Sequence, residues 1–403
     1  MTKNRHRWGN FRKTCATRNF LTSVKILRPN VRARVLACIC MGCAGIVTYE
    51  ATAQVATPMF TTLAMLPVDD GPSGTSLVEG PDGSFYFFGA ARHSRERNAV
   101  FRVTKSGKVE LVRRFKDEEG SDLSGIVMAR DGNLYGTFAI ETNSTPNAGG
   151  AVFKLTPSGK LTILHMFAGG NEGSTPSTGL LQARDGNFYG TTASGGGVGP
   201  GYGTIFKITP AGQLTTLHVF TGRGDGWSPA DNPIEGRDGN FYGTTPFSAG
   251  AGGTIYKMGP SGQKTTLYQF DKKDGEPSKL IQGHDGNLYG TTELGTMHGG
   301  TIFRVTMAGE LTTLYVFASR GIQPNSGLVE GKDGSLYGTS DAAGTFAPAA
   351  IYRLDVSGEL KILHEFTGAE GTIPNGLVLA SDGDLYGMTE RAIFRLTLEK
   401  PNK

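Results

Sequence analysis

Short runs of apolar residues alternate with turn residues along most of the chain, and the same order of runs returns at a regular interval. In the copy centred on Asp185, apolar runs cover 179–183, 187–192, 203–208 and 213–220. These runs are rich in Thr, Ile, Leu, Phe, Tyr and Val, the residues that suit pleated and largely buried strands. The pattern predicts four short β-strands per copy, which we name A to D in chain order.

The turns between these strands carry signals of their own. Strands A and B flank an Asp185-Gly186 pair, which between strands predicts a tight hairpin of type I′, in which both central residues have positive φ. Strands C and D flank Pro210-Ala211-Gly212, where proline suits a type I turn and glycine suits the left-handed residue after it. Each copy is therefore predicted to consist of two antiparallel hairpins.

The Asp-Gly pair marks the copies along the chain. At the place between strands A and B it recurs seven times, at steps of 49, 54, 53, 47, 48 and 49 residues, at Asp82, Asp131, Asp185, Asp238, Asp285, Asp333 and Asp382. A period of about fifty residues with four strands is typical of a propeller blade, whereas a β-solenoid repeats at a shorter interval. The sequence therefore predicts an all-β fold, a seven-bladed β-propeller with four antiparallel strands per blade.

The last copy stops after strand C, so the final blade lacks one strand at the C-terminal end. Residues 60–66, near the other terminus, read Phe-Thr-Thr-Leu-Ala-Met-Leu and match the strand D pattern. We expect this segment to complete the last blade and close the ring, because closure removes the sheet edges that invite aggregation.

A basic and then apolar leader precedes the repeats. Residues 1–53 hold ten Lys or Arg and one acid, and an apolar run at 35–47 leads to Ala-Thr-Ala at 51–53. This order predicts a secretory signal peptide cleaved after Ala53, with the propeller occupying 54–403. The apolar run is too short to span a bilayer, so no stable membrane span is expected after cleavage. A transit peptide, an uncleaved anchor and a lipoprotein modified at Cys43 are the alternatives.

Charge and cysteine content narrow the possible partners once the leader is set aside. The formal net charge is +4, but 30 basic and 35 acidic residues remain beyond the leader, which disfavours nucleic acid as a partner. All four cysteines lie before residue 54, so neither disulfides nor cysteine-ligated metals are expected in the mature chain. No zinc, phosphate-loop or contiguous calcium motif is present, so we expect no cofactor and no metal site, although acidic residues on neighbouring loops leave calcium binding open.

The repeat also resembles a known family. The order Asp-Gly-Asn-Leu/Phe-Tyr-Gly-Thr-Thr, Gly-Gly-Thr-Ile-Phe-Lys and Pro-Ser-Gly-Gln-Leu-Thr-Thr-Leu is similar to the GloVer-type tandem repeat of choice-of-anchor surface proteins, over about residues 60–397. The resemblance implies an exported bacterial protein, and it supplies neither a ligand nor catalytic residues. Copy one departs from the repeat and the chain ends at Lys403 without an anchor motif. A periplasmic or secreted protein, expected to be a monomer, is therefore favoured.

Residues that break the repeat are the candidates for function, because a residue present in every blade serves the blade. The tight turns predict one plain rim, and the B-to-C and D-to-A connections predict a variable rim where binding is expected. The candidates on the variable rim are Arg92, His93, Arg95, Arg97, Arg223, Asp225, Trp227, Asp231 and His298. The basic cluster at 92–97 suits an anionic ligand such as a uronate-bearing glycan, and Trp227 suits either sugar stacking or a lid over the blade junction.

Three functions are consistent with these residues. The first is an exported, noncatalytic propeller that binds a polysaccharide or an extracytoplasmic protein on the variable rim. The second is a lyase acting on a uronate polysaccharide or a cyclic depsipeptide, with Arg92, His93 and His298 as candidates for proton transfer and charge neutralisation. The third is a structural component of the cell surface. The fold alone does not choose among them.

Overall fold

The computed structural model describes most of the repeat region. The described residues are 58–66, 77–89, 99–116, 122–139, 149–176, 178–196, 201–229, 231–249, 252–293, 299–317, 323–324, 326–341 and 348–398. The predicted signal peptide and its cleavage site lie outside them and remain predictions. Every described strand belongs to one of seven antiparallel sheets, which confirms the all-β, seven-bladed β-propeller.

Blades one to three each contain four strands in chain order from A to D. Blade one comprises β2 (Val78–Glu79), β3 (Phe85–Gly89), β4 (Ala99–Val103) and β5 (Val109–Arg114). Blade two comprises β6 (Asp122–Met128), β7 (Leu134–Ala139), β8 (Ala151–Leu155) and β9 (Leu161–Met166). Blade three comprises β10 (Leu181–Gln182), β11 (Phe188–Thr192), β12 (Thr204–Ile208) and β13 (Leu214–Val219).

Blades four to six follow the same order, with one variation. Blade four comprises β14 (Ile234–Glu235), β15 (Phe241–Thr245), β16 (Thr254–Met258) and β17 (Lys264–Gln269). Blade five comprises β18 (Ile281–Gln282), β19 (Leu288–Thr292), β20 (Thr301–Val305) and β21 (Leu311–Val316). In blade six strand A is split into β22 (Gln323–Pro324) and β23 (Val329–Glu330), followed by β24 (Leu336–Asp341), β25 (Ala350–Leu354) and β26 (Leu360–Glu365). Single turns of 3-10 helix lie at Gly170–Glu172 and Lys272–Asp274.

Blade seven joins the two ends of the repeat region. It contains β27 (Asn375–Leu379), β28 (Leu385–Met388), β29 (Ala392–Thr397) and, as its outermost strand, β1 (Met59–Met65). Met59 pairs with Thr397, and Met65 pairs with Ala392. The predicted closure of the ring by the N-terminal strand is confirmed, with the strand one residue earlier than expected.

The hydrophobic core is divided among the junctions between blades. Seven clusters of buried side chains are present, one at each junction. At the junction of blades one and seven, Phe85 and Tyr386 are buried with ring centroids 4.4 Å apart. A blade therefore has little core of its own, and its apolar surface is buried by its two neighbours.

The A-to-B turns differ from the predicted type I′. Gly186 has a φ of 83°, and the described residues with positive φ do not include Asp185. Gly186 N donates to Ala183 O, and Ala183 N donates to Asn187 O, which defines a type I turn followed by a left-handed glycine. The prediction of type I′ was wrong because the Asp185 carboxylate accepts from Asn187 N, which holds the aspartate in a right-handed conformation. The C-to-D turn at Gly212, with a φ of 89°, is as predicted.

The recurring Asp, Tyr and Lys residues form a structural network beside these turns. The Asp185 carboxylate accepts from the Tyr189 hydroxyl at 3.0 Å and from Lys207 Nζ at 2.9 Å. Arg184 N donates to the Glu235 carboxylate of the next blade at 2.8 Å. Equivalent contacts join the A-to-B turns of four other pairs of neighbouring blades, so this rim serves the fold.

Candidate functional site

Two kinds of connection lie at opposite ends of the ring. In each antiparallel sheet the A-to-B and C-to-D turns lie at one end, the plain rim, and the longer B-to-C and D-to-A connections lie at the other, the variable rim. A cavity of about 450 Å³ runs along the inner strands and is lined by residues that include Lys279, Gln282, Glu330 and Leu377. Because inner strands of several blades share this cavity, it is part of the axial channel.

The structure describes four of the nine predicted site residues. These four are Arg223, Asp225, Trp227 and Asp231, all on the connection between blades three and four. The other five lie outside the described residues: Arg92, His93, Arg95, Arg97 and His298. The anion site and the lyase chemistry assigned to those five residues therefore remain predictions.

Asp225 is held by contacts that stabilise its own loop. Its carboxylate lies 3.3 Å from His218 Nε2 and accepts from Thr221 Oγ1 at 2.8 Å. The same contact recurs in two other blades, as His165 with Glu172 and as His364 with Glu370. The His–acid pair is thus a feature of the repeat that fastens the start of the D-to-A connection to strand D.

Trp227 lies in a cluster of three aromatic rings on the variable rim. Its ring centroid is 5.9 Å from that of Tyr202 and 5.9 Å from that of Phe247. Tyr202 remains 46% exposed and Phe247 remains 40% exposed. Trp227 N donates to Phe247 O at 3.0 Å, and Ser228 N donates to Tyr202 O at 2.8 Å. We name Tyr202, Trp227 and Phe247 the aromatic platform; the exposed Arg223 lies on the same connection.

Blade three has the same backbone arrangement without the aromatic side chains. There, Ser174 and Ser194 form the β-bridge that Trp227 and Phe247 form in blade four. Because two serines satisfy the same bridge, the backbone does not require aromatic residues at these positions. The aromatic platform is therefore a feature of blade four that is added to the repeat.

Asp231 takes a position that carries a hydroxyl residue in neighbouring blades. That hydroxyl bonds to a threonine of strand B, as Thr178 with Thr191, Ser278 with Thr291 and Ser326 with Thr339. In blade four the strand B residue is Thr244, whose buried Oγ1 has no partner among the described residues. The half-buried Asp231 carboxylate likewise accepts no hydrogen bond from the described part of the chain.

Tyr256 adds a second buried hydroxyl to this region. It occupies the strand C position of Phe206 in blade three, opposite a glycine of strand B in both blades. Tyr256 is 0% exposed, and its hydroxyl has no partner within the described ranges. Burial raises the pKa of Tyr256, and the nearby charge of Asp231 raises it further. Asp231 and Tyr256 are therefore close enough to interact electrostatically.

Carboxylates dominate the charge around Asp231. Burial raises the pKa of Asp231, and the charge of Lys279 acts in the opposite direction. Burial also raises the pKa of Glu293, and the negative charges of Glu276, Asp341 and Asp231 raise it further. The channel mouth at the variable rim of blades four to six therefore carries net negative charge.

No metal centre or membrane-spanning helix is found in the described part of the chain. No group of three or more His, Cys, Asp or Glu residues there is arranged to hold a metal ion. No helix in the same residues is long and apolar enough to cross a bilayer.

Some residues of the site were missed from the sequence because each matches the general strand or loop pattern. Tyr202 lies in a glycine-rich loop, Thr244 continues the Gly-Thr-Thr motif, and Tyr256 looks like the aromatic residue of every strand C. Alignment of the copies at each strand position provides the missing signal. It shows Phe247 where blade three has Ser194, and Tyr256 where blade three has Phe206.

Solved structures with a similar fold are of different kinds. One is described as a streptogramin B lyase; it has a TM-score of 0.62 and 18% identity, and the match covers 85% of this chain and 98% of that one. Another is the extracellular domain of the one component system BT4673 from B. thetaiotaomicron, with a TM-score of 0.58 and 11% identity over 85% of this chain and 40% of that one. At such identities the similarity shows the propeller fold alone.

The family comparison concerns the repeat itself. No curated protein sequence matches the chain. The Gloeobacter/Verrucomicrobia repeat matches residues 71–275, 126–326 and 181–393, which together span most of the chain. These overlapping matches cover the same copies that the Asp-Gly period defines, so the chain belongs to the Gloeobacter/Verrucomicrobia repeat family.

Proposed function

We propose that this protein is an exported, noncatalytic β-propeller that binds a polysaccharide on its variable rim through the aromatic platform. The observation that carries the proposal is the replacement of Ser174 and Ser194 of blade three by Trp227 and Phe247 in blade four. The basic and apolar leader supports export, as does the likeness of the fold to extracellular domains of B. thetaiotaomicron proteins.

The geometry of the platform suits the apolar face of a sugar ring. Trp227 and Phe247 are nearly parallel, with an interplanar angle of 28°, and Tyr202 is tilted by 50° from Trp227. Tyr and Trp offer a large contact area with few rotatable bonds, so little conformational entropy is lost on binding. The backbone hydrogen bonds of Trp227 and Ser228 hold the rings in place before a ligand arrives.

A double variant with the residues of blade three tests the proposal. Trp227→Ser with Phe247→Ser removes the rings and keeps the β-bridge, so the thermal unfolding midpoint should stay close to that of the parent. Affinity electrophoresis of the full chain in gels containing single polysaccharides measures binding. We expect retardation by at least one polysaccharide and about tenfold or greater loss of affinity in the double variant, which corresponds to about 1.4 kcal/mol.

A control on the plain rim separates the platform from general surface effects. Val356→Ala removes an aliphatic side chain that is 83% exposed, and it should leave retardation unchanged. Absence of retardation across a panel of neutral, amino and uronate polysaccharides would overturn the proposal, as would equal retardation of the parent and the double variant. Retention of the parent by another protein in place of any glycan would favour the protein-partner alternative.

A further inference from the structure

We propose that the channel mouth of blade four binds a protonated amino group, so that the polysaccharide recognised is one containing unacetylated amino sugars. The proposal rests on the proposed function and names its ligand class. Three groups carry the proposal: the Asp231 carboxylate and the buried hydroxyls of Thr244 and Tyr256. None of them makes a side-chain hydrogen bond with the described residues.

The first step concerns the hydrogen bonds that the Asp231 carboxylate does not accept from the described residues. In blades three, five and six the equivalent hydroxyl residue bonds to the strand B threonine. Asp231 makes no such bond with Thr244, although the same register applies in blade four. An ionised carboxylate accepts hydrogen bonds and donates none, so it provides sites for a ligand that donates, such as an ammonium group.

The second step concerns the two hydroxyls. Thr244 is 1% exposed and Tyr256 is 0% exposed, and a buried polar atom without a partner costs free energy until a partner is supplied. The Tyr256 hydroxyl lies against Gly243 of strand B, where an added Cβ would be only 2.3 Å away, so the phenol reaches inward across the sheet. Neither hydroxyl has a partner within the described residues, so each keeps an O–H donor for a water or a ligand atom beside the Asp231 carboxylate.

The third step concerns charge. Glu276, Glu293 and Asp341 lie near the same mouth: burial raises the pKa of Glu293, and the negative charges of Glu276, Asp341 and Asp231 raise it further. The positive charge of Lys279 acts to lower the pKa of Asp231. No ion pair joins the two side chains within the described residues. The carboxylates are not arranged as a metal-binding group. A ligand with several N–H donors and one positive charge satisfies this arrangement, whereas a uronate would be repelled.

The fourth step connects this mouth to the aromatic platform. Asp231 follows Trp227 by four residues on the same connection. Four residues span at most about 14 Å, a distance that a short oligosaccharide covers. One sugar of a chain can therefore stack on the platform while another presents its amino group to Asp231.

Titration calorimetry with two matched oligomers tests the proposal. The probes are a glucosamine hexamer and its fully N-acetylated form, added to the full chain at mildly acidic pH, where the free amine is protonated. The parent should bind the glucosamine hexamer about tenfold or more tightly than the acetylated form. Asp231→Asn and Asp231→Thr, the latter taken from blade three, should abolish this preference by weakening the binding of the glucosamine hexamer.

Tyrosine variants provide a matched pair for the buried hydroxyl. Tyr256→Phe, which introduces the residue of blade three, should reduce the preference several-fold. Tyr352→Phe in blade six removes an equally buried hydroxyl that also has no partner among the described residues and whose pKa is raised by burial alone, and it should leave the preference intact. Equal effects of these two variants would show a general packing role and would overturn the role of Tyr256.

The outcomes separate this proposal from the proposed function. Equal affinity for both hexamers, with binding lost in the Trp227→Ser and Phe247→Ser double variant, overturns the amino-group site and leaves the platform standing. A preference that survives Asp231→Asn also overturns the site. Binding of neither hexamer overturns the amino-sugar assignment, and the platform is then judged by its separate test on the polysaccharide panel.

Discussion

Two aspartates of neighbouring turns and loops have opposite environments. Asp185 on the plain rim accepts hydrogen bonds from Asn187, Tyr189 and Lys207, and despite partial burial these contacts lower its pKa to about 2. The Asp231 carboxylate on the variable rim accepts no hydrogen bond from the described residues, and burial raises its pKa. The first carboxylate therefore stabilises the fold when it is ionised, and the second destabilises it.

The variants Asp231→Asn and Asp185→Asn should consequently change stability in opposite directions at neutral pH. Asp231→Asn should raise the free energy of unfolding, because the amide carries no charge that burial disfavours. This gain should disappear as the pH falls below about 4, where the aspartate is protonated in the unfolded chain as well. Asp185→Asn should lower stability, and its deficit should shrink between about pH 4 and pH 2. Denaturant unfolding across this range measures both, and a stabilising effect that persists at pH 3 would contradict the assignment for Asp231.

The sequence singled out part of the site at the level of residues. Trp227 stands out in the sequence as the tryptophan that follows the leader, and Asp231 as a carboxylate on the same loop; the structure places both on the connection between blades three and four. Phe247 and Tyr256 were hidden because strands and loops of every copy carry aromatic residues, and the alignment of the copies by strand position shows that blade three has serine and phenylalanine there. The sequence could not predict that the Thr244 hydroxyl has no partner among the described residues, because the equivalent threonines of blades three, five and six do bond to a hydroxyl residue at the position of Asp231.

Glycines of the two kinds of hairpin differ in what surrounds them. Gly186 in an A-to-B turn has a φ of 83° and open space where a Cβ would stand. Gly212 in a C-to-D turn has a φ of 89°, and a Cβ there would lie 2.4 Å from Leu164 O of the preceding blade. The C-to-D turn is thus packed against the strand D of its neighbour, whereas the A-to-B turn is free on that side.

Alanine at these two glycines should separate turn strain from packing between blades. Gly186→Ala should cost about 1–2 kcal/mol, the strain of a left-handed non-glycine residue. Gly212→Ala should cost about 3 kcal/mol or more, because displacement of the adjacent strand is added to the same strain. Denaturant unfolding of both variants measures the difference. Equal costs would show that the contact with Leu164 does not hold the blades together.

The strands themselves were largely predictable, and the reason is physical. The strand motifs return with buried Tyr and Phe at fixed positions, so the period-two pattern and the turn residues specify four strands in each copy. The type of the A-to-B turn was not predictable from Asp-Gly alone, because the Asp185 carboxylate accepts from Asn187 N in the turn, from Tyr189 of strand B and from Lys207 of strand C, and only the folded blade brings these donors together. The split of strand A in blade six also depends on pairing with Leu336–Asp341, which no local signal indicates.

Ring closure by β1 is the property that belongs to the whole molecule. Phe60 of this strand stacks on His364 of blade six at 3.5 Å and contacts Phe394 of blade seven at 5.3 Å. Deletion of residues 54–67 removes this strand and exposes the edge of β29 and the face of blade six. We expect the truncated chain to lose cooperative unfolding and to aggregate, which size-exclusion chromatography and thermal unfolding would show.

A synthetic peptide of residues 54–67 offers a control for the deletion. Added during refolding of the truncated chain, it should restore a soluble species, whereas a peptide with Phe60→Ala should do so less well. A truncated chain that is monomeric and unfolds at the temperature of the parent would contradict the closing role of β1.

The pairing of Met59 with Thr397 has a consequence for biosynthesis. Strand β1 is synthesised early but pairs with β29, the last strand of the repeat region, so the ring of blades cannot close until translation is nearly complete. A chain that is released before residue 392 has an N-terminal strand without its pairing partner and an incomplete sheet at its C-terminal end. Such fragments would expose unpaired strand edges and apolar surface, which chaperones and proteases recognise, whereas a full-length chain would bury both.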